Sequence, residues 1–300
     1  MTKIKYIHCL GTSHTAGGGF EFGSNNPERN VSLETYYSIE GEEKSQFNFS
    51  FPGQLQKLIG NGIQVLNHAK QGYGNDRVFR IVYDIINKIG FNFDENLFIF
   101  EFAGMGRREY YSNKLKEFIT LNWQHEIDEN NIATKNGAKL LGVASSYFYE
   151  TQKTYDFIKE NNSFFESYVE NFVNFDLEFN NISRETEFFL SYVEKLKLNY
   201  YFSSPPIVGI NGYDKSKEII FGDGKFFKKS SSILDFSGDN ELIISKETRG
   251  EYNDSHNSLK SNKIVAHVIY NKLIDDEYIL GVTKEIDWEW YYTNNLINKK

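Results

Sequence analysis

Two stretches near opposite ends of the chain carry the residue types of nucleophilic acyl chemistry. Gly11-Thr12-Ser13-His14-Thr15-Ala16-Gly17 presents a serine hydroxyl in a turn of small residues, and Asp254-Ser255-His256 presents an imidazole with a carboxylate two residues before it. A serine hydroxyl is a weak nucleophile until a base takes its proton and a carboxylate fixes the tautomer of that base. Ser13 therefore reads as a candidate nucleophile, His256 as its base and Asp254 as the orienting partner. Each also has a plainer reading: Ser13 and Asp254 as turn or capping residues, His256 as a surface histidine. His14, directly after the serine, reads as a structural or substrate-contact residue rather than a second base. Two further loops matter. Asn67 to Asn75 holds Gly72 and Gly74, and Ala103-Gly104-Met105-Gly106 leads into Arg107 and Arg108, which could line an anion pocket or open a solvated helix beside Glu109.

The elements that must position these loops follow from hydrophobic periodicity. Ile4 to Leu10 is a short β-branched and aromatic run that stops at Gly11-Thr12-Ser13, the pattern of a buried strand ending in a tight loop. Residues 17–50 read as an inserted loop, with a hairpin around Ser32 to Ile39. Phe51 to Ile59 reads as a helix stopped by Gly60-Asn61-Gly62, and Ile63 to Leu66 as a second strand. Asp76 to Ile89 places residues 78, 79, 82, 85, 86 and 89 on one helical face, and Leu97 to Phe102 is a third, nearly all-apolar strand. Few breakers interrupt Asn113 to Lys197, which predicts a mostly helical lid or cap with amphipathic stretches at Ser163 to Val173 and Arg184 to Leu196. Leu198 to Phe202 is a candidate fourth strand, Glu218 to Ser245 alternates short β-like pieces with turns, and Asn262 to Leu273 is a closing helix. Strands alternating with helices predict an α/β fold with a mostly parallel sheet covered on both faces, and such sheets place chemistry at the carboxyl ends of their strands. Residues 11–19, 67–75, 103–109 and 253–257 can all reach that edge.

Composition narrows the function classes. The 300 residues are 40% hydrophobic and 25% charged with only four prolines, which excludes a collagenous or disordered chain. A formal charge of -8 has the wrong sign for gripping a phosphate backbone, so nucleic acid is disfavoured as a partner. With Cys9 as the one cysteine and no Cys/His ligand cluster, neither a disulfide framework nor a structural zinc site is expected. The short, interrupted apolar stretch at the start does not match a signal peptide, and no uncharged run of about 18 residues predicts a membrane span. The expectation is a soluble cytoplasmic protein, although a phage passenger or a protein exported without a cleaved leader would read the same. The abundant tyrosines and phenylalanines read mainly as packing, and Trp288 and Trp290 as a packed tail or an oligomer contact.

Taken in order, Gly11-Thr12-Ser13-His14-Thr15, Asn67 to Gly72, the loop after the third strand and Asp254-Ser255-His256 followed by a helix resemble the four blocks of the SGNH (GDSL) hydrolase superfamily. The resemblance covers about residues 1–16, 51–111 and 198–273. It implies a three-layer α/β/α, flavodoxin-like single domain over 1–300, with insertions at about 17–50 (loop or hairpin) and 113–197 (helical). It also implies a Ser13–His256–Asp254 triad and an oxyanion hole formed by the backbone N–H groups of Ser13 and Gly72, with Gly74 the neighbouring alternative. Two positions depart from the pattern. Thr12 stands where the first block usually has an aspartate that organises its loop, and Met105 stands where the third block usually supplies an oxyanion-hole asparagine. Methionine donates no hydrogen bond, so Arg107, Arg108 or the side chain of Asn75 is the candidate replacement. The implied activity is hydrolysis of an acetyl or other short-chain ester, on a small molecule or a carbohydrate, without cofactor or metal. An O-acyltransferase using the same triad and a weakly active binding or structural module on the same scaffold are the alternatives.

Overall fold

The computed structural model describes residues 4–17, 46–70, 73–103, 106–127, 133–140, 152–203, 214–240, 242 and 257–297. In chain order the elements are β1 (Tyr6–Leu10), α1 (Ser13–Ala16), α2 (Gln46–Phe49), α3 (Phe51–Ile59), β2 (Gln64–Asn67), α4 (Asn75–Ile86), β3 (Asn96–Glu101), β4 (Arg107–Ser112), β5 (Glu117–Ile127), β6 (Ala133–Leu140), α5 (Gln152–Glu160), α6 (Asn162–Phe172), α7 (Phe175–Lys195), β7 (Asn199–Ser203), α8 (Ile233–Asp239), α9 (Leu259–Asp275) and α10 (Trp288–Ile297).

β1 lies in the middle of a four-stranded parallel sheet of order β2-β1-β3-β7. Strand alternation divides its side chains between two apolar layers. Ile7, Cys9, Val65, Leu97, Ile99 and Tyr201 pack beneath α3 and α9, where Phe51, Leu55, Ile264, Val265, Ile269 and Leu273 are buried. Leu10, Phe98, Phe100, Tyr200 and Phe202 face α4 and α7 through Val78, Val82, Ile182, Phe189 and Val193. Because both faces are covered, β3 is buried at every position, which is why Leu97 to Phe100 is apolar throughout and not alternating. The expected α/β class, parallel sheet and flanking helices are therefore present.

The long middle segment differs from the helical expectation. Residues 117–127 and 133–140 are strands, and with β4 they form a three-stranded antiparallel sheet of order β4-β5-β6. The reason is local. Ile119, Leu121 and Trp123 are buried at two-residue spacing, a strand period, and the β4–β5 turn is closed without glycine or proline because Lys116 takes the left-handed conformation at φ 59°. The helical expectation holds from residue 152 to 195, where α5, α6 and α7 follow one another. This sheet and the first two of those helices have their own core of Leu115, Ile119, Leu121, Trp123, Ile158, Phe165, Val169 and Val173. In the 218–245 stretch the described residues hold two isolated bridges, Phe202 to Glu218 and Phe221 to Ser230, and then α8. The tail forms α10, and Trp288 packs against Phe227 at 5.7 Å between ring centroids. Among the described residues no helix is long and apolar enough to cross a membrane. The hairpin expected at 32–39 lies outside the described residues.

Candidate active site

β1 ends at Leu10, and the chain turns directly into α1, so Ser13 is the first residue of a single helical turn at the carboxyl end of a central strand. The turn closes with the Ala16 N–H donating to the Thr12 carbonyl at 2.9 Å, and Gly17 leaves it in the left-handed conformation at φ 84°. Ser13 is 7% exposed. Among the described residues none hydrogen-bonds the Ser13 hydroxyl, so that hydroxyl is not serving as a helix cap.

Three anchors hold this turn. The side chain of Asn67, at the end of β2, donates to the Thr15 carbonyl at 3.0 Å. His14 lies 3.1 Å through Nδ1 from Oδ1 of the buried Asn257. An amide oxygen only accepts, so Nδ1 carries the proton of this bond. Asn257 continues to Asn262 on α9, and Asn262 donates to the Phe49 carbonyl at 3.0 Å. The third anchor is Glu101, the last residue of β3. Its carboxylate accepts from the Thr12 N–H (3.1 Å), the Thr12 hydroxyl (3.0 Å), the Thr15 N–H (3.0 Å) and the Thr15 hydroxyl (2.5 Å).

The start of α4 meets the loop after β3. Asn75, the first residue of α4, accepts from the Ala103 N–H at 2.6 Å and donates to the Ala103 carbonyl at 3.3 Å. Its amide thus ties α4 to the loop after β3, which commits most of a group that was a candidate oxyanion donor. Gly74 packs so closely on β4 that a Cβ there would lie 2.5 Å from the Arg107 carbonyl oxygen.

The two arginines diverge. Arg108 pairs with Asp76 (2.9 Å), Glu178 (2.9 Å) and Glu185 (2.5 Å), and these carboxylates raise its pKa although burial opposes them. That arrangement joins α4, β4 and α7. Among the described residues Arg107 makes one long contact, 3.5 Å from Nη1 to the Tyr73 carbonyl. Burial lowers its pKa and the nearby Glu101 charge raises it. Both arginines lie on a strand, not at a helix start, and the neighbouring Glu109 forms a two-pronged pair with Arg80 at 2.7 and 2.8 Å.

Of the residues expected at the site, Gly72, Met105, Asp254 and His256 lie outside the described residues. Ser13, His14, Asn75 and Arg107 gather at the carboxyl end of the sheet. Glu101 and Asn257 were not anticipated. The one signal for Glu101 was a lone charge in the apolar run from Leu97 to Phe102, whereas Asn257 carried none beyond adjacency to His256. Among the described residues no set of three or more His, Cys, Asp or Glu side chains could hold a metal ion. A groove of about 400 Å³ lined by Ile219, Val268, Asn271, Lys272, Asp276 and Trp288 lies toward the far end of α9 and includes none of the site residues. Comparison of the chain with protein-family models, curated proteins and solved structures returns no match.

Proposed function

We propose that the protein is a serine esterase of SGNH type that releases a short acyl group from an alcohol, with Ser13 as nucleophile, His256 as general base and Asp254 as its orienting partner. The observation that carries this reading is the hydrogen bond between His14 and Asn257. It joins the residue after the candidate nucleophile to the residue after the candidate base across most of the chain. Two further features support it. Ser13 begins a helical turn at the carboxyl end of a central parallel strand, where such sheets hold their chemistry. Counting only the strands of the parallel sheet, the order β2-β1-β3-β7 is 2-1-3-4, as in flavodoxin-like folds.

In this mechanism Ser13 Oγ attacks the ester carbonyl carbon while His256 accepts its proton. The Ser13 and Gly72 amides hold the oxyanion, and the Arg107 guanidinium supplies the charge complement that Met105 does not. Collapse breaks the ester C–O bond, with His256 returning the proton to the departing alcohol. Water then repeats the attack on the acyl-enzyme and frees the acid.

The test is intact-mass analysis of wild type and Ser13→Ala after exposure to a fluorophosphonate, alongside hydrolysis of an activated acetate ester. One adduct on wild type, absent from Ser13→Ala, with Ser13-dependent turnover, is expected. Added acceptor alcohol separates hydrolysis from acyl transfer by the product formed. Folded wild type that shows neither adduct nor turnover overturns the enzymatic reading in favour of a binding scaffold.

A further inference from the structure

We infer that Glu101 sets the geometry of the Ser13 turn, acting from β3 as a positioning residue for the candidate nucleophile. Its relevance to catalysis rests on the Ser13 reading above.

A helix that begins Thr-Ser-X-Thr has a local solution for its first turn: the N-cap threonine hydroxyl accepts from the N–H three residues on. That bond is not made here, and the Thr12 side chain caps nothing. Thr12 instead donates its hydroxyl to Glu101, and the Thr15 N–H that it would have capped also goes to Glu101, at 3.0 Å. Together with the Thr12 N–H and the Thr15 hydroxyl, four donors converge on one carboxylate. The residue before Ser13 and the second residue after it are thus fixed to a common point, while the Ser13 N–H and hydroxyl take no part. The bracket leaves the reactive atoms unencumbered and holds the backbone on both sides of them.

The fit is tight enough to specify one geometry. A Cβ on Gly11 would lie 2.6 Å from Glu101 Oε2, 2.7 Å from Glu101 Cβ and 2.7 Å from Thr15 Oγ1, so the turn has no slack on the strand side. Glu101 is itself 6% exposed, and a buried carboxylate is tolerated only where donors satisfy it. Its negative charge opposes an oxyanion forming nearby, so its value to the site is geometric and not electrostatic. Thr12 occupies the position where the resemblance leads one to look for a carboxylate within the loop. In this chain a carboxylate reaches the same loop from another strand.

Three variants test this. Glu101→Gln keeps the shape but turns one acceptor toward donors as an NH2 group. Glu101→Asp keeps the charge one methylene short. Thr12→Val removes one hydroxyl donor and leaves the backbone donor in place. Turnover is referred to the folded fraction, and amide exchange is followed over residues 11–16. The expected result for Glu101→Gln is a kcat and a fluorophosphonate labelling rate lower by ~10²-fold with KM within threefold, because a misplaced reacting group costs about that much. Exchange should rise over 11–16 and stay unchanged over 96–100. Glu101→Asp should recover part of the rate, and Thr12→Val should fall between it and wild type.

Wild-type kcat per folded molecule with unchanged exchange at 11–16 in all three variants overturns the inference, as does a loss of protection spread evenly over the sheet. If wild type shows neither adduct nor turnover, the esterase reading fails. Selective exchange at 11–16 in Glu101→Gln then still supports the positioning of the turn.

Discussion

The buried His8 and the half-buried His68 are hydrogen-bonded ring to ring. Asn96 donates through Nδ2 to the Asn92 carbonyl, so its Oδ1 must accept from His8 Nε2 at 2.7 Å, and in the neutral His8 ring Nδ1 accepts from His68 Nε2 at 2.9 Å. Burial lowers the pKa of each; His68 falls to about 4, with further lowering from His8, Arg77 and Lys88. An unfolded histidine titrates near 6.5. Between that value and about 4 the unfolded chain binds more protons than the native one, so stability falls as the pH falls through this window and is fully present above it. In urea titrations at pH 7 and pH 5, wild type should lose more stability on acidification than His68→Gln, whose amide still donates to His8 without titrating. Equal losses would remove His68 as the cause. None of this was legible from His8, which the sequence offers only as a residue inside a strand, nor from Glu101, whose four partners are invisible until β1 and β3 pair. Ser13 was legible because an apolar run ending in small residues announces a strand end, whatever lies around it.

At the scale of the element, β4 sends its two arginines to different partners. Neighbouring residues on a strand point to opposite faces, so Arg107 and Arg108 cannot share a role. Arg108 opposes Leu121 in the ladder and reaches three carboxylates, whereas Arg107 opposes Asn122 and lies near Tyr73 and Glu101. Arg108→Met leaves Asp76, Glu178 and Glu185 facing one another. It should cost about 1–3 kcal/mol of stability, the lower end reflecting the half-exposed Glu185, with turnover per folded molecule preserved. Arg107→Met should do the reverse, reducing kcat by ~10²-fold with a smaller change in urea midpoint. Turnover that follows Arg108 instead would reassign the charge complement. Sequence periodicity served the framework well because β1, β3, α3, α4 and α9 each have one clean pattern. It failed at β5, where the turn that joins it to β4 is made by Lys116, and nothing in a lysine codes for positive φ.

Over the whole molecule, burial is divided. The parallel sheet has two apolar layers, and the antiparallel sheet with α5 and α6 has a third. The Arg80–Glu109 and Arg108 ion pairs join that third core to α4 and α7. Phe165→Ala should cost about 3–5 kcal/mol, taken mainly from the third core. Hydrogen exchange should then rise across residues 106–127 and 152–173 while β1 and β3 keep their protection. Loss of protection everywhere would mean that the three cores unfold as one. The α/β class was readable because covered parallel strands need apolar runs. The separate third core was not, since its strands and helices lie in a stretch with few breakers.

The cap on α1 also bears on when the protein becomes itself during synthesis. A single helical turn does not persist alone. The carboxylate that holds it is made 86 residues after Thr15, and the asparagine that braces His14 follows 243 residues after it. A nascent chain emerges with its serine long before either brace exists. The turn can take its final shape only once β3 has paired and α9 has docked, so a nascent chain that has not yet reached residue 257 carries Ser13 without the full bracing of its turn.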